Sequence, residues 1–298
     1  MAFVTPENVF LQQLNHPAFS QHHVAASIVR LDKIHPVISG NKWFKLFGYL
    51  ADARAKGFNA IATFGGAYSN HIHATAAICK LEGLSCVGFI RGEEPSLYSP
   101  TLLEAKKLGM TLVFLSRKDF QLKKLDVLQD RFPGYYFIRE GGYGTLGTEG
   151  IKKIFEWIPS DTDFIIASCG TGTTLAGLIK HALPHQQVIG INALKGYEAI
   201  ESDIQKILPE NTIYNNWKIF NDYHFGGYAK KNDNLIMFMN QLWDIDSLPT
   251  DFVYEAKMMY ALIDLVKNNY FPAGSKIVAI HGGGLQGNRS IKKGILNF

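Results

Sequence analysis

Five short stretches of this chain bring together residue types that can do chemistry. Ser168-Cys-Gly-Thr-Gly-Thr-Thr174 follows the apolar run 164–167 and precedes the helical pattern 175–180. Strand, glycine loop and helix in that order make an anion cradle. Glycines let successive N–H groups converge, threonine hydroxyls add donors, and the helix N-terminus adds positive potential. The loop lacks the Gly-Lys-Ser/Thr ending of a P-loop, and Gly177 falls too far along for G-x-G-x-x-G. No lysine or arginine is expected near it, so amides and hydroxyls, aided by the helix dipole, are expected to carry most of the charge of a bound phosphate.

Gly40-Asn41-Lys42 opens a strongly amphipathic segment. Lys42 reads either as an exposed helix-start lysine or as an amine whose burial lowers its pKa and permits Schiff-base chemistry. Lys45, three residues on, keeps that choice open. Gly65-Gly-Ala-Tyr-Ser69-Asn70-His71 is a second strand-to-helix turn, where Ser or Asn serves as a helix cap or holds a ligand oxygen. Val253-Tyr-Glu-Ala-Lys257 lies at the start of a helix expected from near Phe252, where Glu255 reads first as compensation of the helix dipole. His281-Gly-Gly-Gly284 ends the last apolar run and would bring backbone close to a ligand at a sheet's carboxyl edge. His281 itself reads first as a satisfied core residue.

These turns need elements to hold them, and the pattern supplies them. Short β-branched or aromatic runs at 59–64, 85–90, 111–115, 135–138, 164–168, 188–193 and 276–281 alternate with helical stretches. Continuous apolar strands separated by helices indicate parallel sheet covered on both faces. Trp43, Leu46, Phe47 and Leu50 mark one amphipathic helix, ending near Lys56. Phe252, Ala256, Met259, Ile263 and Val266 mark another, stopped by Asn268-Asn269 and Pro272. The glycine-rich stretch 140–150 is the best candidate for a domain boundary, since no other linker is visible.

Composition narrows the classes. The 298 residues are 47% hydrophobic and 19% charged, ordinary globular usage that disfavours disorder and fibrous repeats. The 30 Lys+Arg against 26 Asp+Glu are dispersed, so no nucleic-acid partner is indicated. No spanning apolar run and no secretory signal is visible, which predicts a cytoplasmic protein with no membrane partner. Cys79, Cys86 and Cys169 form no C-x-x-C, His71 and His73 do not share a helix face, and no H-E-x-x-H occurs, so no metal site is expected.

Taken together and in order, Ser39-Gly-Asn-Lys-Trp-Phe-Lys-Leu46, Gly65–Asn70, Ser168–Thr174, Val253–Lys257 and His281–Gly284 resemble the 1-aminocyclopropane-1-carboxylate deaminase / D-cysteine desulfhydrase family. These are pyridoxal-phosphate (PLP) enzymes of fold type II, the tryptophan-synthase-β-like class. The resemblance implies that Lys42 holds PLP through a Schiff base and later shuttles a proton. Asn70 would bond the ring's phenolic oxygen, and Ser69 would position the substrate carboxylate. Gly170, Thr171, Gly172, Thr173 and Thr174 would cradle the phosphate, and Glu255 would face the pyridine nitrogen. Tyr254 and Tyr228 resemble the family's active-site tyrosines. Glu255 matches the deaminase branch, since desulfhydrases commonly carry a neutral hydroxyl residue there. Three departures accompany the match. Gly282 stands where the branches have leucine or threonine, Ala229 replaces a glycine, and 91–98 is short and lacks a tryptophan-containing segment.

The expected fold is α/β: two open, mostly parallel twisted sheets with helices on both faces and PLP in the interdomain cleft. Residues 1–44 plus 143–298 would form a large PLP-binding domain and 45–142 a small inserted one. The expected function is a PLP-dependent deaminase or carbon–sulfur lyase acting on a small amino acid and releasing ammonia and a 2-oxo acid. A homodimer is implied by the resemblance alone. The alternative is a non-catalytic or nucleotide-binding doubly wound protein using Gly170–Thr174 for a nucleotide phosphate.

Overall fold

The computed structural model describes residues 6–38, 40–122, 125–210 and 212–298. Ser39, which opens the Gly-Asn-Lys stretch, lies outside them. Ten strands form two sheets: β1 (Leu11–Gln13), β2 (Ala25–Arg30), β3 (Ala60–Gly65), β4 (Ser85–Arg91), β5 (Thr111–Leu115), β6 (Tyr136–Ile138), β7 (Phe164–Cys169), β8 (Gln187–Asn192), β9 (Trp217–Phe220) and β10 (Lys276–His281). The larger sheet runs β1-β2-β10-β7-β8-β9 and the smaller β5-β4-β3-β6. Every pairing is parallel except the edge pair β1–β2. The predicted class is the one observed: α/β, two mostly parallel sheets clothed by helices.

The strand sequences explain the two-sided cover. In β7, Ile165, Ala167 and Cys169 join one core while Ile166 joins another. In β10, Val278 and Ile280 face the first and Ile277 and Ala279 the second. Period-2 alternation with apolar residues on both faces is what a central strand between two helix layers requires. The small sheet does the same, with Ile61 on one face and Ala62 and Phe64 on the other. Phe64 stacks on Phe89, ring centroids 5.1 Å apart.

Helix Asn41–Ala55 follows the larger sheet's β2 and precedes the smaller sheet's β3. It is anchored at Gly40, whose φ of +71° and contact with the β10 exit only glycine tolerates: a β-carbon there would lie 1.9 Å from the Gly282 carbonyl oxygen. The Asn41 N–H donates to that same oxygen at 3.1 Å. The start of this helix is thereby fixed against His281–Gly284. Among the described residues no helix is long and apolar enough to cross a membrane.

Candidate active site

The carboxyl ends of β3, β7 and β10 converge on a cavity of about 660 Å³. This is the edge where open parallel sheets bind ligands. Its walls include Lys42, Ser69, Asn70, Gly170, Thr171, Gly172, Thr174, Tyr228, Tyr254 and Glu255. Of the catalytic and cofactor-binding residues that the resemblance implies, Thr173 alone is not in the wall; it is fully buried, its hydroxyl 3.3 Å from that of Thr171.

Lys42 is half-buried, and its Nζ donates to Asn41 Oδ1 at 2.8 Å. Burial pushes its amine down to about 8, against the pull of Glu255 and Asp251. It is therefore not a solvated surface lysine. Asn41 turns its other end to the glycine loop, Nδ2 donating to Thr174 Oγ1 at 3.0 Å. Lys257 is remote in its bonding: 0% exposed, it is absent from the cavity wall, and its Nζ donates to the Gly227 carbonyl at 2.8 Å.

The loop after β7 ends at Gly172, left-handed at φ +82°, which caps helix Thr173–His181. The first-turn amides of that helix point back to the loop, as an anion site needs. The expectation of no nearby cation is corrected here. Lys45, 4% exposed, lines the same cavity and sets its Nζ 3.5 Å from the Gly141 carbonyl. Gly141 in turn packs on Thr171: a β-carbon on Gly141 would come 2.8 Å from Thr171 Cγ2. Burial, then the neighbouring Lys42, holds the Lys45 amine well below its usual value. The sequence hid this, because Lys45 stands more than a hundred residues before the loop, in the helix Asn41–Ala55.

Ser69 is the N-cap of helix Asn70–Leu81, its Oγ accepting from Ile72 N–H at 3.3 Å. Its hydroxyl proton is left to donate. Asn70 Oδ1 accepts from Gln286 Nε2 at 2.5 Å. His71 also lines the cavity, although sequence reasoning gave it no role. Thr63 Oγ1 donates to the Ile138 carbonyl, so His71 Nε2–H donates to Thr63 at 2.8 Å, and Nδ1 is left without a partner. Burial and the two lysines hold this imidazole neutral.

Helix Glu255–Lys267 begins three residues later than predicted. Asp251 is the reason: its carboxylate accepts the N–H groups of Val253, Tyr254 and Glu255, at 2.8–3.1 Å, and holds them in a turn ahead of the helix. Glu255 is 2% exposed, so it is no solvated first-turn glutamate. Ser168 Oγ donates to its Oε1 at 2.8 Å, whereas Oε2 is buried with no hydrogen-bond partner among the described residues. Burial, then Asp251, pushes the carboxyl up to about 8. Gly282 leaves it room, since a β-carbon there would meet Glu255 Oε1 at 2.9 Å and Asn41 Nδ2 at 3.1 Å.

Tyr254 and Tyr228 meet edge to face at 6.2 Å, and burial raises both phenols above their usual range. Ala229 takes φ +53°, a conformation that suits a glycine better. His281 is fully buried, with Nε2 on the Pro249 carbonyl at 2.7 Å and Nδ1 accepting from Gly283 N–H at 3.2 Å. It is a core residue, as expected. No cluster of three His, Cys, Asp or Glu side chains fit to hold a metal occurs among the described residues.

Comparison with known proteins agrees with this geometry. The family described as "Pyridoxal-phosphate dependent enzyme" matches residues 11–283. The "Putative 1-aminocyclopropane-1-carboxylate deaminase" of Pyrococcus horikoshii is 30% identical over 268 residues, covering 84% of this chain and 81% of its own. A crystal structure of an "ACC deaminase homologue" superposes with a TM-score of 0.82 at 25% identity, covering 96% of this chain and 92% of that one. O-ureido-L-serine synthase, at 14% identity and a TM-score of 0.68 over 96% of this chain and 94% of that one, shares the fold. The family match places the chain among pyridoxal-phosphate dependent enzymes rather than nucleotide-binding proteins.

Proposed function

This chain belongs to the pyridoxal-phosphate dependent enzymes of fold type II, and from that premise we propose that it acts on a small amino acid and releases ammonia and a 2-oxo acid, as a 1-aminocyclopropane-1-carboxylate deaminase does. The cleft between domains 1–44 plus 143–298 and 45–142, and a homodimer, belong to the same proposal.

The residues present fit the cofactor. Lys42 offers an amine that is substantially neutral near pH 8, and Glu255 offers a buried oxygen with no hydrogen-bond partner among the described residues. When bound, PLP supplies an electron sink for the pair released as a bond at the substrate's α-carbon breaks. Lys42 Nζ would hold the cofactor and move the proton at that carbon. Gly170–Thr174 and the helix start would bind the phosphate, with Lys45 as the counter-charge. Asn70 would orient the ring at its phenolic oxygen, and Ser69 would donate to the substrate carboxylate. Tyr254 and Tyr228, held protonated, would donate where charge develops on the substrate. Glu255 Oε2 would face the ring nitrogen, ionise on meeting it, and keep a proton there.

One observation supports the preference for deamination: Glu255, the residue proposed to face the ring nitrogen, is a buried carboxyl with an oxygen unpartnered among the described residues, rather than a hydroxyl. A pyridinium partner supports the harder ring opening, whereas a neutral nitrogen suits only easy β-leaving groups. The test is a substrate panel of 1-aminocyclopropane-1-carboxylate, D- and L-cysteine, D-serine and β-chloro-D-alanine, read as 2-oxobutyrate, pyruvate and ammonia. 2-Oxobutyrate from the cyclopropane substrate is the expected result. Pyruvate from D-cysteine with no 2-oxobutyrate would assign the desulfhydrase branch instead.

A further inference from the structure

We propose that Gln286 is a positioning residue that sets the orientation of the Asn70 carboxamide, and so decides which end of it meets the cofactor. The inference rests on the proposed role of Asn70 and goes beyond it. Gln286 lies in the 3-10 segment Leu285–Ser290 that follows the glycines after β10, whereas Asn70 opens the helix that follows β3. One residue therefore comes from the larger sheet's side of the cavity and the other from the smaller sheet's side.

The hydrogen bond between them is directional. Gln286 Nε2 donates and Asn70 Oδ1 accepts at 2.5 Å. Asn70 is in the cavity wall, and with its oxygen engaged the group left for a ligand is the Nδ2 donor. A donor is what the ring's phenolic oxygen needs, and a carboxamide turned over would present a second oxygen and repel it. Gly284 leaves the space for this arrangement. It sits at φ +91°, and a β-carbon there would lie 2.7 Å from Asn70 Nδ2.

The 3-10 segment is registered on the smaller sheet's helices by a second contact. Arg289 Nη1 bonds Glu104 Oε2 in the Pro100–Lys107 helix, and the same oxygen stands 3.2 Å from His73 Nε2, one helical turn beyond Asn70. Gln286 is thus delivered to Asn70 from a segment tied to the smaller sheet's helices through Arg289.

The experiment uses the holoenzyme and two readouts besides activity: the pH midpoint of the bound cofactor's visible band, and cofactor retention on dilution. Gln286→Met frees the Asn70 amide without adding charge. It should move the midpoint to higher pH by up to about one unit and weaken retention about tenfold, since a lost donor favours the protonated ring oxygen. Gln286→Glu can only accept, forces the amide over, and should move both further. Asn70→Ala should move them at least as far as Gln286→Met, and the Asn70→Ala/Gln286→Met double variant should add nothing to Asn70→Ala alone. Melting curves confirm that the variants are folded. If Asn70→Ala shifts the midpoint but Gln286→Met does not, or if the two effects add, Gln286 does not act through Asn70. If Asn70→Ala shifts nothing, it is the Asn70 reading that fails.

Discussion

Glu255→Gln changes the charge at the base of the site while keeping its shape, and the structure sets the size of the effect. In the cofactor-free protein, burial reinforced by Asp251 raises the Glu255 carboxyl from an ordinary 4.5 to about 8. A carboxyl that holds its proton more tightly folded than unfolded contributes stability that is full below the unfolded value. That contribution is lost as pH climbs through the folded one. At about 1.4 kcal/mol per pH unit the interval gives an upper bound of about 5 kcal/mol. Asp251 is buried beside it and titrates as part of the same pair, so roughly 2–3 kcal/mol is the usable figure. Glutamine is neutral throughout. Cofactor-free wild type and variant should therefore melt together near about pH 5, and the variant should melt roughly 5 °C higher near about pH 9. With cofactor the ranking reverses in function: the variant should still bind PLP yet lose about a hundredfold in rate, or about 3 kcal/mol of transition-state stabilisation. Scanning calorimetry across pH and steady-state assays make the measurements. Full activity, with the same small melting difference at every pH, would reduce Glu255 to a helix-dipole residue and refute the reasoning.

Three further outcomes follow from the geometry. Borohydride reduction and peptide mapping should label Lys42, because Lys257 is tied to the Gly227 carbonyl outside the cavity; a label on Lys45 or Lys257 would overturn the assignment. Thr171→Asp puts a negative charge in the cavity wall at the glycine loop and should lower PLP occupancy sharply, which absorbance of the purified protein reads directly. Lys45→Met removes a buried amine, so the cofactor-free protein should melt at a higher temperature while cofactor retention weakens about tenfold; unchanged retention would place the phosphate away from Lys45.

Most of the strands legible in the sequence are buried on both faces, although the edge strands β5 and β6 were read as well from their aromatic and β-branched residues. β3, β4, β7, β8 and β10 are central strands that read as unbroken apolar runs. β1, with two glutamines, and β9 are edge strands with weaker signals, and both went unread. β2 went unread too: only Ala25 is exposed, but Ser27 and Arg30 break its apolar run. The same division holds at the site. Glycine and threonine in a strand-to-helix turn advertise themselves locally, so Gly170–Thr174 and Gly65–Asn70 were found. Lys45, His71, Asp251 and Gln286 matter through what faces them across the cavity, and no neighbour in sequence reports that. Two signals were present all the same. Lys42 and Lys45 are three apart on one helix and share a face. Asp251, ahead of an amphipathic run, has the look of a helix-start acceptor.

The placement of these groups bears on why the pieces of the site come from so many elements. Lys42 and Lys45 are both pushed toward the neutral amine, and Glu255 and Asp251 toward the neutral acid, chiefly by burial. Each opposes folding when charged and alone, and a chain selected for stability would replace them with apolar residues of like size. They make sense together if the cavity is built around a molecule with opposite charges at its two ends. An anionic group at the glycine loop would restore Lys45, and a cationic ring atom near Glu255 would restore the carboxylate. The Gly40–Gly282 contact presses the start of the lysine helix onto the exit of β10, next to Glu255. A bound cofactor would then stabilise the fold as well as supply the reagent. The cofactor-bound enzyme should gain more stability near neutral pH than a ligand of the same affinity bound at an uncharged surface site would give, because binding also relieves the buried charges.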